Sequence, residues 1–172
     1  MGPSEWVLVF DCETTVDHTQ QLRVGCSQLR LGQAVHQCVL FYDPESVSSE
    51  ELDVLKQAAG DNGWEIMEVT RWIEEVLFAA AVDLSATVVG HNLFFDLTRV
   101  AIGHDTTRSH DRRMRGGFSL KLSEDPFRQR VLVKKASGSA TFIQFTVPDG
   151  RPPEQHAAEK GNEAPSPTVV SS

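Results

Sequence analysis

Two short stretches of this chain gather residue types that do chemistry. The first is Phe10-Asp11-Cys12-Glu13-Thr14-Thr15, which follows the apolar run Trp6-Val7-Leu8-Val9. In an extended strand, residues two apart share a face, so Asp11 and Glu13 project together, about 6–7 Å apart. Two carboxylates held that way repel unless a cation lies between them, and hard oxygen donors suit Mg2+ or Mn2+. The plainer reading is a polar strand end in water. The second stretch is Gly90-His91-Asn92-Leu93-Phe94-Phe95-Asp96-Leu97. Asn92 and Asp96 lie four apart, on one helix face near its start. A carboxylate among Leu93, Phe95, Leu97 and Val100 costs free energy unless it is paired or bound to metal. The plainer reading here is Asn92 as a helix cap, with Asp96 in the first turn where the helix dipole favours it.

The surrounding pattern supplies elements able to carry both stretches. Trp6 to Phe10 reads as a buried central strand ending at Asp11. Leu22 to Leu29 and Ala34 to Tyr42 read as two further strands joined by a turn around Gly32. Ser48 and Glu51 fit a capping box, so a helix is expected to run to about Ala59 and stop at Gly60. Trp64 to Ala81 places Ile66, Val69, Ile73, Val76, Leu77 and Ala80 on one face of a second helix. Thr87 to Val89 is a short strand, and Leu93 to Ile102 a helix closed by Gly103. Gly117 to Leu122, Arg130 to Lys135 and Ala140 to Val147 read as three short strands. The order β-β-β-α-α-β-α with a small β addition predicts an α/β domain, a mixed sheet with helices packed on it.

Length and composition set the outer limits. The 172 residues suit one domain, expected over 1–147, and 40% hydrophobic content is enough for a core without disulfides. Five of the eight prolines fall after residue 147, so 148–172 reads as a disordered tail. No apolar run is long enough to span a bilayer, and the first ten residues do not resemble a secretory signal. Cys12, Cys26 and Cys38 are widely spaced with no CxxC, which predicts buried thiols in a cytoplasmic protein. The net charge of -8 is unevenly spread. Residues 99–135 hold ten of the sixteen Lys and Arg against four acids, a basic segment able to meet a polyanion locally. Within it, Arg112, Arg113 and Arg115 are the best candidates to contact phosphate.

Taken together, FDCETT at a first strand and GHNLFFDL about 80 residues later resemble the DEDD family of 3'-5' exonucleases. That group has a ribonuclease H-like fold and includes the proofreading epsilon subunit of bacterial replicative polymerase. The resemblance spans roughly residues 5–103. It implies a fold with the strand and helix order above, and hydrolysis of phosphodiester bonds at single-stranded 3' ends of nucleic acid. It also implies a catalytic and metal-binding set of Asp11, Glu13 and Asp96 holding two Mg2+ or Mn2+ ions about 4 Å apart. By the same resemblance Asp11 bridges the ions, Glu13 serves the nucleophile side and Asp96 the leaving-group side. Thr14 and Thr15 would lie beside the terminal nucleotide, and Asn92 would shape the second motif. His91 and Phe95 are further substrate-binding candidates, Phe95 by stacking on a base.

The chain departs from that family in one respect. A third motif, Tyr-x3-Asp or His-x4-Asp downstream of Asp96, is not found. Tyr42 lies upstream, and His104, His110 and His156 have Ser109, Arg115 and Gly161 at the required position. Three readings stand: a sequence that is incomplete at its C-terminal end; a substitute carboxylate such as Asp105, Asp111 or Asp149; or a non-catalytic relative that binds nucleic acid or a protein partner.

Overall fold

The computed structural model describes residues 4–107, 114–135, 141–146 and 170–171. The expected order of elements is present, with three further strands at Glu65–Glu68, Gly103–Thr106 and Val170–Ser171. β1 (Trp6–Thr14), β2 (Leu22–Leu31) and β3 (Ala34–Tyr42) form an antiparallel meander. Then follow α1 (Ser49–Asn62), the inserted β4 (Glu65–Glu68) and α2 (Val69–Trp72), whose helical path continues to Asp83. β5 (Thr87–Gly90) and α3 (Leu93–Val100) complete the first part. β6 (Gly103–Thr106), β7 (Phe118–Lys121), β8 (Val131–Lys135), β9 (Thr141–Phe145) and a two-residue β10 (Val170–Ser171) come after it.

The strands build two sheets. The larger is mixed, in the order β10-β5-β1-β2-β3-β4. β5 runs parallel to β1, β10 parallel to β5, and β4 parallel to β3. The smaller sheet is antiparallel, in the order β6-β7-β8-β9. This is an α/β domain with a small second sheet. Of the segment expected to be disordered, 148–169 and Ser172 lie outside the described residues, and Val170–Ser171 pair with β5.

The helical segment 69–83 is sandwiched between the sheets and carries the core. Trp72 is fully buried, stacked on Phe41 at 4.0 Å and tilted against Phe10 at 5.1 Å. Its indole Nε1 donates to Ser27 Oγ at 2.8 Å, which satisfies both buried polar groups. Gly25 is required beneath this cluster, because a Cβ there would lie 2.1 Å from the Phe41 ring. On the other side, Phe78 meets Phe145 of β9 edge-on at 6.3 Å. Arg128 lies over the Phe78 ring and pairs with Glu74 at 2.6 Å. From Ile73 to Asp83 the backbone widens into two π-turns, with Phe78 N–H reaching Ile73 O and Leu84 N–H reaching Ala79 O. Side chains of this segment are buried towards both sheets: Trp72, Ile73, Val76, Leu77, Phe78, Ala80 and Ala81.

Local chemistry explains where the structure departs from the sequence reading. The capping box forms as expected, with Ser48 accepting from Glu51 N–H and Glu51 accepting from Ser48 N–H. α1 continues through Gly60 and ends at Gly63 (φ 67°, ψ 29°), the left-handed position that favours glycine. The expected helix over Trp64–Ala81 begins only at Val69. Glu65–Glu68 instead take the free edge of β3, because a strand pattern is equally open to Glu-Ile-Met-Glu and edge hydrogen bonds are available there. Trp64, expected to open that helix, precedes β4 instead and is 38% exposed. Gly103 opens β6 rather than closing α3, which ends at Val100. β1 is central but buried on one face only: Leu8, Phe10 and Cys12 point inward, while Val9 is 38% exposed on the other face. All three cysteines are free, but only Cys12 is buried; Cys26 is exposed.

Candidate functional site

The two chemical stretches are separated by about 80 residues in sequence and lie on adjacent parallel strands. Val7, Leu8 and Val9 pair with Thr87, Val88 and Val89, so the C-terminal ends of β1 and β5 lie at the same end of the sheet. β5 stops at Gly90 while β1 runs on through Asp11 and Glu13 to Thr14. α3 starts after the Gly90-His91-Asn92 turn and packs on both strands. A close approach at Gly90 sets this geometry. A Cβ there would lie 3.1 Å from Phe10 O, 3.3 Å from Asp96 Oδ2 and 3.3 Å from Leu93 Cδ1. The glycine therefore lets the helix and its carboxylate settle against the end of β1.

Asp11 and Glu13 share the exposed face of β1, as their spacing requires. Asp96 is different. It faces inward from α3 with Leu93, Leu97 and Val100, and it is 1% exposed. Its Oδ2 is buried with no hydrogen-bond partner. Burial is the largest influence on this carboxyl, the charge of Asp11 the next, and together they push its pKa up to about 6. A hydrogen bond from Cys12 N–H and the charge of His91 act the other way, and Glu13 adds a smaller upward push. Burial and the same carboxylates, Asp96 first among them, push the Cys12 thiol well above its usual range. Asp96 thus feels the charges of Asp11 and Glu13.

They do not close into a complete set. Among the described residues, no three His, Cys, Asp or Glu side chains come together in an arrangement able to hold a metal ion. The chemistry of the donors nevertheless suits a hard divalent cation: three carboxylates, one with a desolvated oxygen that lacks any partner.

The remaining candidates divide. Asn92 is exposed and its side chain makes no capping bond, so the capping role is filled only by its backbone O, which accepts from Asp96 N–H at 3.0 Å. His91 is exposed in the turn beside it. Thr14 ends β1, half-buried, at the point where the register with β2 shifts. Thr15 is committed to the β1–β2 loop: its Oγ1 donates to Asp17 Oδ1 at 2.9 Å and accepts from Gln21 N–H at 3.0 Å. Phe95 is half-buried beneath the Arg99 guanidinium, 4.7 Å from the ring centre. Neither Phe94 nor Phe95 is a core residue; Leu93 and Leu97 fill that role. Arg112 and Arg113 lie outside the described residues, as do Asp111 and Asp149. Arg115 is exposed in a turn. Asp105 belongs to the second sheet and pairs with Arg130 at 2.6 Å.

Two contributors could not be singled out from sequence. Cys26 sits directly across from Asp11 on β2, a relation set by strand register. Arg99 donates to the carbonyls of Thr19 and Gln20, at 3.3 and 2.8 Å, and so clamps α3 to the loop that follows β1. Its position three residues after Asp96 is the only sequence signal for that role. In comparisons with known proteins, the chain matches no family model and no curated protein.

Proposed function

We propose that this domain is a metal-dependent 3'-5' exonuclease of the ribonuclease H-like, DEDD kind, acting on single-stranded 3' ends. The observation that carries the reading is the buried Asp96 carboxylate, whose Oδ2 lacks a partner and which feels the charge of Asp11, at the end of the sheet where β1 and β5 finish. An antiparallel β3-β2-β1 meander continued by a parallel strand, β5, next to β1 is also what such a fold requires. Asp11, Glu13 and Asp96 would hold Mg2+ or Mn2+, which supplies an activated water and stabilises the leaving 3'-oxygen. The chain's own residues orient the substrate. His91 and Asn92 present polar side chains at the open turn, and Thr14 lies at the end of the carboxylate strand. Asp96, held off by its apolar surroundings, has free energy to gain from a cation. Failure of the three carboxylates to close into a set is the observation that favours the rival, a binding module without turnover.

The two readings separate in one assay. The purified chain is incubated with a 5'-labelled oligonucleotide bearing a 3' overhang, in Mg2+, in Mn2+ and in EDTA. A ladder shortening from the 3' end, absent in EDTA, is the expected result. Asp11→Ala should lower the rate roughly 10²–10⁴-fold, the equivalent of several kcal/mol of lost charge stabilisation. No shortening in either metal would leave the binding module. Gly90→Ala tests the close approach: displacing Asp96 by a few tenths of an ångström should cost about tenfold in rate with little loss of folding stability.

A further inference from the structure

The helix that carries Asp96 and the strand that carries Asp11 and Glu13 are joined a second time, beyond the end of β1. Asp96 accepts from Cys12 N–H, and Arg99, three residues further along α3, reaches the loop after Thr14. Its Nη1 donates to Thr19 O at 3.3 Å and to Gln20 O at 2.8 Å. The guanidinium lies over the Phe95 ring, and its Nε is buried with no hydrogen-bond partner among the described residues. A cation desolvated in this way and spent on two carbonyls is committed to that contact rather than held ready in water. The loop it grips is a closed unit. Thr15 N–H donates to Gln21 O at 2.9 Å, and Gln21 N–H donates to Thr15 Oγ1 at 3.0 Å. Inside it, Asp17 Oδ1 accepts from Thr15 Oγ1 and from Thr19 N–H, both at 2.9 Å. Gln20 sits at φ 47°, a left-handed conformation that a glutamine keeps only when its surroundings hold it there. The Arg99 bond to its carbonyl is such a hold. Thr15 is two residues from Glu13, so a displacement of the loop passes directly into the carboxylate strand.

We infer that Arg99 is a positioning residue: by locking α3 to the closed loop beyond Thr14, it fixes Asp96 relative to Asp11 and Glu13. Gly90 sets the approach of α3 at its start, and Arg99 sets it at its last turn. The inference rests on the proposed exonuclease reading for the use made of the three carboxylates. It assigns Arg99 to their alignment and not to phosphate, although the residue belongs to the basic segment of the sequence.

Three measurements on the full chain test it. Arg99→Met keeps an apolar stem over Phe95 and removes the donors, whereas Arg99→Lys keeps the charge and a donor for Gln20 O. Arg99→Gln, whose amide is too short to span both carbonyls, carries the test if the methionine variant melts early. Hydrogen exchange in EDTA should be about tenfold faster at the Thr19, Gln20 and Gln21 amides of Arg99→Met. Its affinity for Mn2+, read from the electron paramagnetic resonance signal of the free ion, should fall about tenfold. On a 5'-labelled oligonucleotide, kcat should fall about tenfold with KM within about twofold of the parent. Arg99→Lys should recover most of each loss. Faster exchange with unchanged Mn2+ affinity and kcat would reduce Arg99 to a structural clamp and overturn the inference. A rise in KM alone would make it a substrate contact, with the same consequence. Hydrolysis by the parent, with all three measurements unchanged in the variants, would sink this inference alone. The Mn2+ and exchange results as described, with no hydrolysis by the parent, would sink the exonuclease reading and leave this one standing. A parent that binds no Mn2+ would overturn both.

Discussion

Asp96→Asn is expected to abolish metal-dependent hydrolysis and, in EDTA, to make the protein more stable. The catalytic loss should be roughly 10²–10⁴-fold, as for any residue that carries several kcal/mol of charge stabilisation. The gain in stability follows from burial. Burial, then the charge of Asp11, pushes the carboxyl up to about 6 in the folded chain, above the ordinary aspartate value of about 4. The folded state therefore holds the proton more tightly than the unfolded state does. The corresponding stability is complete below about pH 4 and is lost as pH rises through 6, on the order of 3 kcal/mol by pH 7. Asparagine keeps the shape and the acceptor for Cys12 N–H, and it carries no charge to desolvate. The melting temperatures of the two proteins should therefore diverge between pH 4 and 6 and stay apart above 7. Adding Mg2+ or Mn2+ should raise the melting temperature of the parent and not of the variant. A difference that is flat with pH would show that Asp96 is not a desolvated carboxylate. An unchanged rate would remove it from the site.

Trp72→Ala should have the largest effect on folding. The indole touches Phe10 and Phe41 across the larger sheet, bonds to Ser27 and has no exposed surface. Truncation removes that contact area, opens a cavity and strands the Ser27 hydroxyl. The cost should be ~3–5 kcal/mol in equilibrium denaturant unfolding. A domain of this size has about 5–15 kcal/mol in total, so the loss is a large share of the whole and should shift the unfolding midpoint well below that of the parent. Trp72→Phe, which keeps a ring and loses the hydrogen bond, should cost less, about 1–2 kcal/mol. Equal costs for the two variants would show that the ring packing contributes little.

The basic segment illustrates how composition can mislead about individual charges. Arg99, Arg128 and Arg130 were part of a candidate polyanion-binding stretch, yet each is committed inside the fold. Arg99 holds two loop carbonyls, Arg128 pairs with Glu74, and Arg130 pairs with Asp105. Lys121 is shared with Glu124, a surface pair worth little on its own. Among the described residues no helix is long and apolar enough to cross a membrane, in line with the hydropathy of the chain.

Local rules were enough to read much of this protein from its residues. Alternation along β1 set Asp11 and Glu13 on one face, because side chains in a strand repeat every two residues. The Ser48–Glu51 box marked the start of α1, because both partners lie within one helical turn. Apolar spacing identified α3 and turned Asp96 inward. Contacts between residues distant in sequence decided the rest. Glu65–Glu68 became a strand because β3 had a free edge, and Gly60 was passed over because the left-handed cap fell at Gly63. The pairing of β1 with β5 brought Asp96 to Asp11, and the approach at Gly90 closed off its oxygen from water. Register alone put Cys26 across from Asp11. Burial and cross-strand pairing are properties of the assembled sheets, so the electrostatics of Asp96 emerged only with the tertiary structure.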